Sequence, residues 1–329
     1  MFVELARPSE DVISCIKFAP TGRHLLASSL DGNLNLYGTS SAQKVANVSL
    51  GETSAALSVD WLDTIAVAGC VDGRVKVVDF ERQTASCVGD PHSLGVSSVT
   101  TVNSRGLVVA GSWDKSMQLI DSRSGEAETH RLEAKVFALD SIDDCIVASM
   151  GGNTVNIYDV RQMATPLISR RNELKYQARS LSCMPSGKGY ALGSVEGRIS
   201  VEYLDQSDNF CFKCHRQATT DGKDLVDPVN ALVFHGTSGS LISGGKDGYV
   251  CLWDVHSKKR TKRYARFDSS VVALDYAHAE GKELLAVACS DDDYKVMEGP
   301  GDKAHSGTVT GSRLYIREME TDESLGKTS

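Results

Sequence analysis

The string Cys211-Phe-Lys-Cys214-His215 has the C-x-x-C-H spacing that attaches a c-type haem. Haem attachment requires export, and residues 1–8 show no basic segment followed by an apolar stretch and a small-residue cleavage site. Because residues 210–216 also alternate like an outer β-strand, we interpret both cysteines as structural thiols. We therefore expect no haem, and nothing else in the sequence indicates a cofactor.

An acidic run, Asp291-Asp292-Asp293, begins a loop that reaches Gly311. Carboxylates of this kind can bind calcium, but the run lacks the spacing of an EF-hand, and we interpret it as a solvated loop. No G-x-S-x-G elbow, P-loop or dinucleotide-binding glycine motif is found between a strand and a helix. The sequence therefore predicts neither a metal site nor an enzyme.

Arginines and lysines are the remaining candidates for chemistry. The chain has 35 basic and 43 acidic residues, a net charge of −8, so any basic surface must be a local one. Guanidinium groups that gather on one surface bind carboxylates or phosphate through paired, charge-assisted hydrogen bonds. Whether such residues meet depends on the elements that carry them.

Those elements form a repeat that recurs seven times. Each copy has a short apolar strand, a tight turn with an acidic residue or glycine, and an alternating strand that usually ends near an aspartate. The turns lie near positions 31, 72, 114, 152, 196, 247 and 291. Their spacing is close to the roughly 40–45 residues of a WD repeat. The longest interval, from 196 to 247, should hold an insertion.

The repeat predicts an all-β fold, a seven-bladed WD-repeat β-propeller with four-stranded antiparallel blades. Another alternating strand precedes each hairpin and a fourth, outer strand completes the sheet; the radial arrangement leaves only short edges. Residues 2–6 could close the ring by pairing in the last blade. We predict one domain over residues 1–320 and a flexible tail over 321–329. Periodicity carries this assignment, because the Gly-His dipeptide of standard WD repeats is missing and, of the two Trp-Asp pairs, only Trp253-Asp254 ends a repeat, whereas Trp113-Asp114 lies in a turn.

Propeller geometry decides which basic residues share a face. Antiparallel strands alternate in direction, so the turns between second and third strands lie on the same face as the links between blades; we call this the turn face. Four of these turns carry a cation: Arg74, Lys115, Arg198 and Lys246.

Other candidates are expected on the same face. Arg179 begins the first strand of blade five, and Arg216 is expected to end its outer strand. With Arg198 and Lys246 they would form a docking surface for an acidic peptide, the alternative being ordinary exposed charges. Trp113, in the turn of blade three, would add an aromatic side chain.

A basic string over residues 258–263 resembles a nuclear localisation signal or a nucleic-acid patch. The interpretation that we favour is a charged turn between blades six and seven. The net charge of −8 argues against a general nucleic-acid binder, and we expect no direct DNA binding.

The apolar runs are too short for the roughly 20 residues of a membrane helix, so no membrane association is expected. Nine cysteines, mostly scattered through apolar strand-like runs, are typical of reduced core thiols, and we predict no structural disulfide. A cytoplasmic or nuclear address follows from these features.

Specific strings resemble the mitotic checkpoint propellers of the third budding-uninhibited-by-benzimidazole family and their relatives, the messenger-RNA export propellers of nuclear pores. The strings that carry the resemblance are LKYQAR at 174–179, SVEGRISVEYLD at 194–205 and FKCHR at 212–216, extended by GSWD at 111–114, PVN at 228–230 and GGKDG at 244–248. Residues 201–205 and 314–318 look more like the checkpoint branch.

The resemblance implies a non-catalytic adaptor of the spindle assembly checkpoint. Such an adaptor binds GLEBS motifs of checkpoint kinases and pseudokinases and recruits them to phosphothreonine-containing repeats of a kinetochore scaffold. Arg179, Arg198 and Arg216 match the family strings, and Lys213 and Trp113 are further site residues that the resemblance implies. The expected protein is a monomeric propeller in hetero-complexes, in the nucleus and at kinetochores in mitosis. The alternative is an mRNA export factor that binds a GLEBS motif of a nucleoporin.

Overall fold

A computed structural model of the protein describes residues 1–6, 9, 11–51, 53–291 and 311–320. Seven four-stranded antiparallel sheets follow one another along the chain, together with one additional two-stranded hairpin. This confirms the predicted seven-bladed propeller. The predicted domain bounds stay a prediction, and residues 292–293 and the tail 321–329 lie outside the described residues.

The strands are numbered in chain order, and each blade runs from its innermost to its outermost strand. Blades one to four contain β2 (Ile13–Phe18), β3 (His24–Ser29), β4 (Asn33–Gly38), β5 (Lys44–Ser49); β6 (Ala56–Leu62), β7 (Ile65–Cys70), β8 (Val75–Asp79), β9 (Thr84–Val88); β10 (Val96–Val102), β11 (Leu107–Ser112), β12 (Ser116–Asp121), β13 (Ala127–Arg131); β14 (Val136–Ile142), β15 (Cys145–Met150), β16 (Thr154–Asp159) and β17 (Ile168–Arg171).

Blades five to seven complete the ring, and two short 3-10 helices lie at Asn103–Arg105 and Gly151–Asn153. The strands of this part are β18 (Ala178–Cys183), β19 (Gly189–Ser194), β20 (Arg198–Tyr203), β21 (Phe210–Lys213); the hairpin β22 (Arg216–Ala218) and β23 (Asp224–Val226); β24 (Val229–Phe234), β25 (Leu241–Gly245), β26 (Val250–Asp254), β27 (Lys259–Arg263); and β28 (Ser270–Ala279), β29 (Lys282–Ser290), β30 (Arg313–Glu318) with β1 (Val3–Glu4).

The N-terminal strand closes the ring, as predicted. β1 pairs antiparallel with β30, with Val3 opposite Ile316, and the amide of Leu5 donates to the carbonyl of Leu314 at 2.8 Å. The last blade therefore combines β1 with three strands from residues 270–318, and the pairing of β1 with β30 closes the ring.

The core lies between the blades, and each apolar cluster is shared by two neighbouring sheets. Small residues in the second strands allow this close packing. A Cβ added to Gly69 would lie 2.6 Å from Val96 of the next blade, and one added to Gly111 would lie 2.6 Å from Val136. The glycine in the repeat pattern is therefore a packing requirement.

The inner strands share a second device. Each has a β-bulge near its start, after the first residue in six blades and after the second residue of β28 in blade seven, and the bulged side chain can reach the next blade. The hydroxyl of Ser14 donates to the carbonyl of Ala56 at 2.5 Å, and that of Ser97 donates to Val136 at 2.7 Å. Arg179 occupies this position in blade five.

Two expectations about strand boundaries were wrong. The outer strand of blade five ends at Lys213, and Arg216 instead begins the hairpin β22–β23, which is the insertion expected in the longest interval. The chain turns between them because His215 has a positive φ of 45°. The basic string 258–263 is not mainly a turn between blades, since its last five residues form β27, the outer strand of blade six.

No helix in the described ranges is long and apolar enough to cross a membrane.

Candidate docking site for an acidic peptide

A buried hydrogen-bond network holds the turn of blade six. The ring of His215 bonds the carboxylate of Asp247 at 2.8 Å and the hydroxyl of Ser243 at 2.9 Å, and Trp253 Nε1 donates to the same hydroxyl at 2.8 Å. His215 thus stands where a WD repeat has the histidine of its Gly-His dipeptide, preceded here by Cys214. The histidine of the C-x-x-C-H string is a framework residue, a role that the sequence analysis missed.

Arg216 fastens the hairpin to the turn of blade five. Its Nη2 donates to the carbonyl of Glu196 at 2.8 Å, and its Nη1 lies 3.8 Å from the Asp224 carboxylate in the opposite strand of the hairpin. The side chain is 19% exposed. Because both terminal nitrogens have a partner, the guanidinium is fixed in one position.

Arg198 approaches the same glutamate from its side chain. Its Nε lies 3.4 Å from the carboxylate of Glu196, whose other oxygen accepts the amide of Lys175 at 3.0 Å. Lys213 stands directly opposite Arg198 across β20 and β21, so the two cations share one side of the blade. Arg198, Arg216 and Lys213 are therefore brought together around the turn of blade five.

The hydrogen-bonding capacity of the two guanidinium groups is not exhausted. The buried Nε atoms of Arg198 and Arg216 make no hydrogen bond with a described residue, although that of Arg198 lies 3.4 Å from the Glu196 carboxylate. The side chains as a whole are partly exposed, 34% for Arg198 and 19% for Arg216. A carboxylate is the ligand that matches a guanidinium best.

Lys246 lies beside the base of the hairpin, in the turn of blade six. Its amide donates to the carbonyl of Pro228 at 3.1 Å, next to Asp227, whose amide donates to His215. Burial raises the pKa of the Asp227 carboxyl, and Asp247 raises it further, while Lys246 opposes the shift. We call Arg198, Lys213, Arg216 and Lys246 the five–six sector.

The other two predicted residues lie elsewhere. Arg179 lines the central channel, a cavity of about 210 Å³ formed by the inner strands of all seven blades. Trp113 packs against Gly95, where an added Cβ would lie 3.1 Å from its ring. With Arg74 and Lys115 it forms what we call the two–three sector, in the turns of blades two and three.

Apolar side chains on the turn face were missed by the sequence analysis. Tyr176 is 51% exposed, and Val195, at the tip of the blade five turn, is 40% exposed. The amide of Val195 donates to the carbonyl of Gln177 at 3.3 Å, which places these two side chains next to Glu196 and Arg198. The signal was present in the sequence, because both lie in strings that carry the family resemblance. Exposed apolar groups beside fixed arginines are typical of peptide-binding surfaces.

The described residues offer little for other chemistry. All nine cysteines are free thiols, and burial raises the pKa of Cys70 and Cys251 to about 11, which keeps them protonated. Within the same residues, no group of three or more histidine, cysteine, aspartate or glutamate side chains could hold a metal ion.

Comparison with known proteins agrees with this geometry. The family model "WD domain, G-beta repeat" matches residues 5–38 and 214–254. A solved structure titled "Crystal structure of RRP9 WD40 repeats" superposes with a TM-score of 0.81 over 97% of each chain, at 13% sequence identity. The fold and the hydrogen-bond network around His215 therefore define a WD-repeat propeller.

Sequence relatives narrow this class. The chain is 35% identical over 308 residues to "Mitotic checkpoint protein BUB3.1" of Arabidopsis thaliana, covering 90% of this chain and 88% of that protein. It is 31% identical to the "Poly(A)+ RNA export protein" of Schizosaccharomyces pombe, covering 82% of this chain and 79% of that protein. The chain belongs to the BUB3 family of mitotic checkpoint proteins, to which the mRNA export propellers are related.

Proposed function

We propose that this protein is a non-catalytic adaptor of the spindle assembly checkpoint that binds GLEBS motifs of checkpoint kinases or pseudokinases on its turn face. It recruits them to phosphorylated threonine repeats of a kinetochore scaffold. It acts in the nucleus and at kinetochores in mitosis, as a single propeller within hetero-complexes.

One observation carries the proposal: Arg198 and Arg216 converge on Glu196, one at its carboxylate and one at its carbonyl. An acidic peptide that crosses the turn of blade five would place its glutamates against two guanidinium groups that are already positioned. Since little side-chain freedom is lost on binding, more of the electrostatic attraction appears as affinity.

The apolar side chains give the peptide its second kind of contact. Tyr176 and Val195 are exposed beside the arginines and could cover apolar residues that flank the glutamates. Lys213 and Lys246 then supply charge at the rim, where they would mainly raise the association rate. Arg179, at the bulge of β18, is proposed as a further contact near the channel mouth.

The membership in the BUB3 family supports the checkpoint role, and the relation to mRNA export propellers motivates a second candidate. In that candidate, the same surface binds a GLEBS motif of a nucleoporin. The identity to the checkpoint relative is 35% and that to the export relative is 31%, which favours the first.

Calorimetric titration distinguishes the two candidates. The purified protein is titrated with a GLEBS peptide, then with a scaffold peptide in its phosphothreonine and unmodified forms. The checkpoint role predicts binding of GLEBS and of the phosphorylated peptide alone. GLEBS binding with no effect of phosphate would favour the export role, and failure of both peptides to bind would contradict the proposal.

A further inference from the structure

The outer strand of blade six carries an unusual concentration of positive charge. β27 has the sequence KRTKR, four cations in five residues with no carboxylate, in a chain whose net charge is −8. The next most basic outer strand, β17, has two arginines. One of these, Arg170, is engaged by the hydroxyl of Tyr190 at 2.9 Å and the carboxylate of Glu202 at 3.4 Å.

A β-bulge aligns two of these cations. Arg263 pairs with Cys251 and Arg260 with Trp253, so Thr261 is the extra residue between them. Without the bulge, residues three apart would point to opposite sides of the strand. With it, Arg260 and Arg263 project on the same side, about 7 Å apart, the repeat of alternate residues in an extended chain.

Both guanidinium groups are held in place by aromatic rings. Arg260 lies 5.9 Å from the ring centre of Trp253, and Arg263 lies 4.6 Å from that of Tyr249. Both also lie close enough to Cys251 to lower the pKa of its thiol against the burial that raises it. The two side chains are nevertheless exposed. Among the ion pairs between described residues, neither takes part in one with a carboxylate.

The geometry points to a second docking surface, in which Arg260 and Arg263 of β27 bind the carboxylates of an extended acidic peptide at the outer edge of blade six. The 7 Å repeat matches alternate glutamates of such a peptide, and a guanidinium fork binds a carboxylate through two hydrogen bonds. β27 is also the last strand of its sheet, so no other strand of the described residues pairs with its outer edge.

Single-stranded nucleic acid fits this surface less well. Proteins bind it by combining backbone charge with exposed aromatic faces on which bases stack. Here Arg260 lies over Trp253, and the side chain of Trp253 is only 9% exposed, so its face is not open to a base. A linear nuclear localisation signal fits no better, because β27 is paired to β26 and not free to extend.

Fluorescence anisotropy with fluorescein-labelled deca-glutamate at low salt tests this surface in the full chain with Arg198→Glu/Arg216→Glu, because the five–six sector is itself proposed to bind glutamates. In that background, Arg260→Glu/Arg263→Glu should bind the probe at least tenfold more weakly than the parent protein. The control is Arg131→Glu/Arg171→Glu, which reverses two exposed arginines at the ends of β13 and β17 and changes the net charge equally. We expect it to change the affinity less than twofold.

Hydrogen exchange then locates the probe, which should slow exchange in the backbone of residues 258–264. Equal losses in both variants, or no loss in either, would overturn the proposal, as would tighter binding of labelled decauridylate than of deca-glutamate. Should the reversal variant unfold, Arg260→Gln/Arg263→Gln repeats the test, with at least a fivefold loss expected and an unchanged affinity contradicting the surface.

Discussion

The five–six sector and the two–three sector lie on the same face of the propeller and differ in how their cations are held. In the five–six sector, Arg216 donates to the carbonyl of Glu196 and Arg198 lies beside its carboxylate. In the two–three sector, Arg74 and Lys115 are exposed, and the acceptor that the Arg74 guanidinium has among the described residues is a thiol, Cys87 Sγ at 3.8 Å. Two cations in each sector, Arg198 with Arg216 and Arg74 with Lys115, therefore do not make equal sites, because a fixed cation loses less freedom on binding.

The buried hydrogen-bond networks that support the two sectors also differ, and the one under the five–six sector is the more complete. Blade six has the full chain of Asp247, His215, Ser243 and Trp253. In blade three, His92 bonds the hydroxyl of Ser116 at 2.8 Å and lies 3.5 Å from Asp114, while its other ring nitrogen, which is buried, has no partner among the described residues. The sector with the better-held arginines thus rests on the more complete hydrogen-bond network.

The largest expected effect concerns this framework. Asp247→Ala should lower the free energy of unfolding by about 3 kcal/mol, because it leaves the buried ring of His215 without its charged partner. Ser54→Ala in blade two, which removes the 2.5 Å hydrogen bond to Asp72, should cost only about 1 kcal/mol. Urea unfolding of both variants measures the difference. Equal losses would show that blade six has no special framework.

An intermediate effect is expected from the pH dependence of blade three. Burial raises the pKa of Asp114, but hydrogen bonds from the hydroxyl of Ser116 and the amide of Ser93 outweigh it and lower the pKa to about 2. Since the folded pKa lies below the unfolded value of about 3.9, this carboxylate stabilises the fold above about pH 4. The stabilisation is lost as the pH falls from about 4 to 2.

The variant Asp114→Asn isolates that contribution. It should be less stable than the unmodified protein at neutral pH, and the difference should shrink over the same pH interval, as measured by urea unfolding at a series of pH values. A difference that is independent of pH would mean that the ionised carboxylate of Asp114 does not stabilise the turn.

The smallest expected effect belongs to Trp113. Its ring packs on Gly95, two blades from Arg198, so Trp113→Ala should weaken binding of a GLEBS peptide by only about threefold. Tyr176→Ala, which removes an exposed ring beside the arginines, should weaken it by about tenfold. Calorimetry measures the affinity of both variants for the peptide. A larger loss for Trp113→Ala than for Tyr176→Ala would mean that the peptide contacts both sectors.

The sequence alone predicts the blades well, because each repeat carries its own local signals. Second-strand glycines at 69, 111, 193 and 244 are needed for packing against the next blade, and the Asp-Gly turns at 31–32, 72–73 and 247–248 supply positive φ, so the periodicity survives even where the Trp-Asp pair does not. Ring closure by residues 3–4 is predictable too, because a four-stranded repeat leaves the last blade one strand short without them.

The site is less predictable, because it depends on where strands stop. Alternation over residues 210–216 suggests one outer strand, and only the positive φ of His215 separates Lys213 from Arg216. β27 is hidden for a related reason: an outer strand exposed at its edge lacks the apolar alternation that marks inner strands, and KRTKR has none. The partner of Arg216, a backbone carbonyl, leaves no signal in the sequence at all.

The central claim, that fixed arginines and not charge alone make the docking site, is tested most directly by two matched charge reversals. GLEBS peptide is titrated calorimetrically into Arg198→Glu/Arg216→Glu and into Arg74→Glu/Lys115→Glu, with circular dichroism confirming that both are folded. Charge reversal of desolvated pairs costs about 2–5 kcal/mol, so the first variant should bind at least 30-fold more weakly. The second should stay within threefold of the unmodified protein, and equal losses in the two variants would contradict the claim.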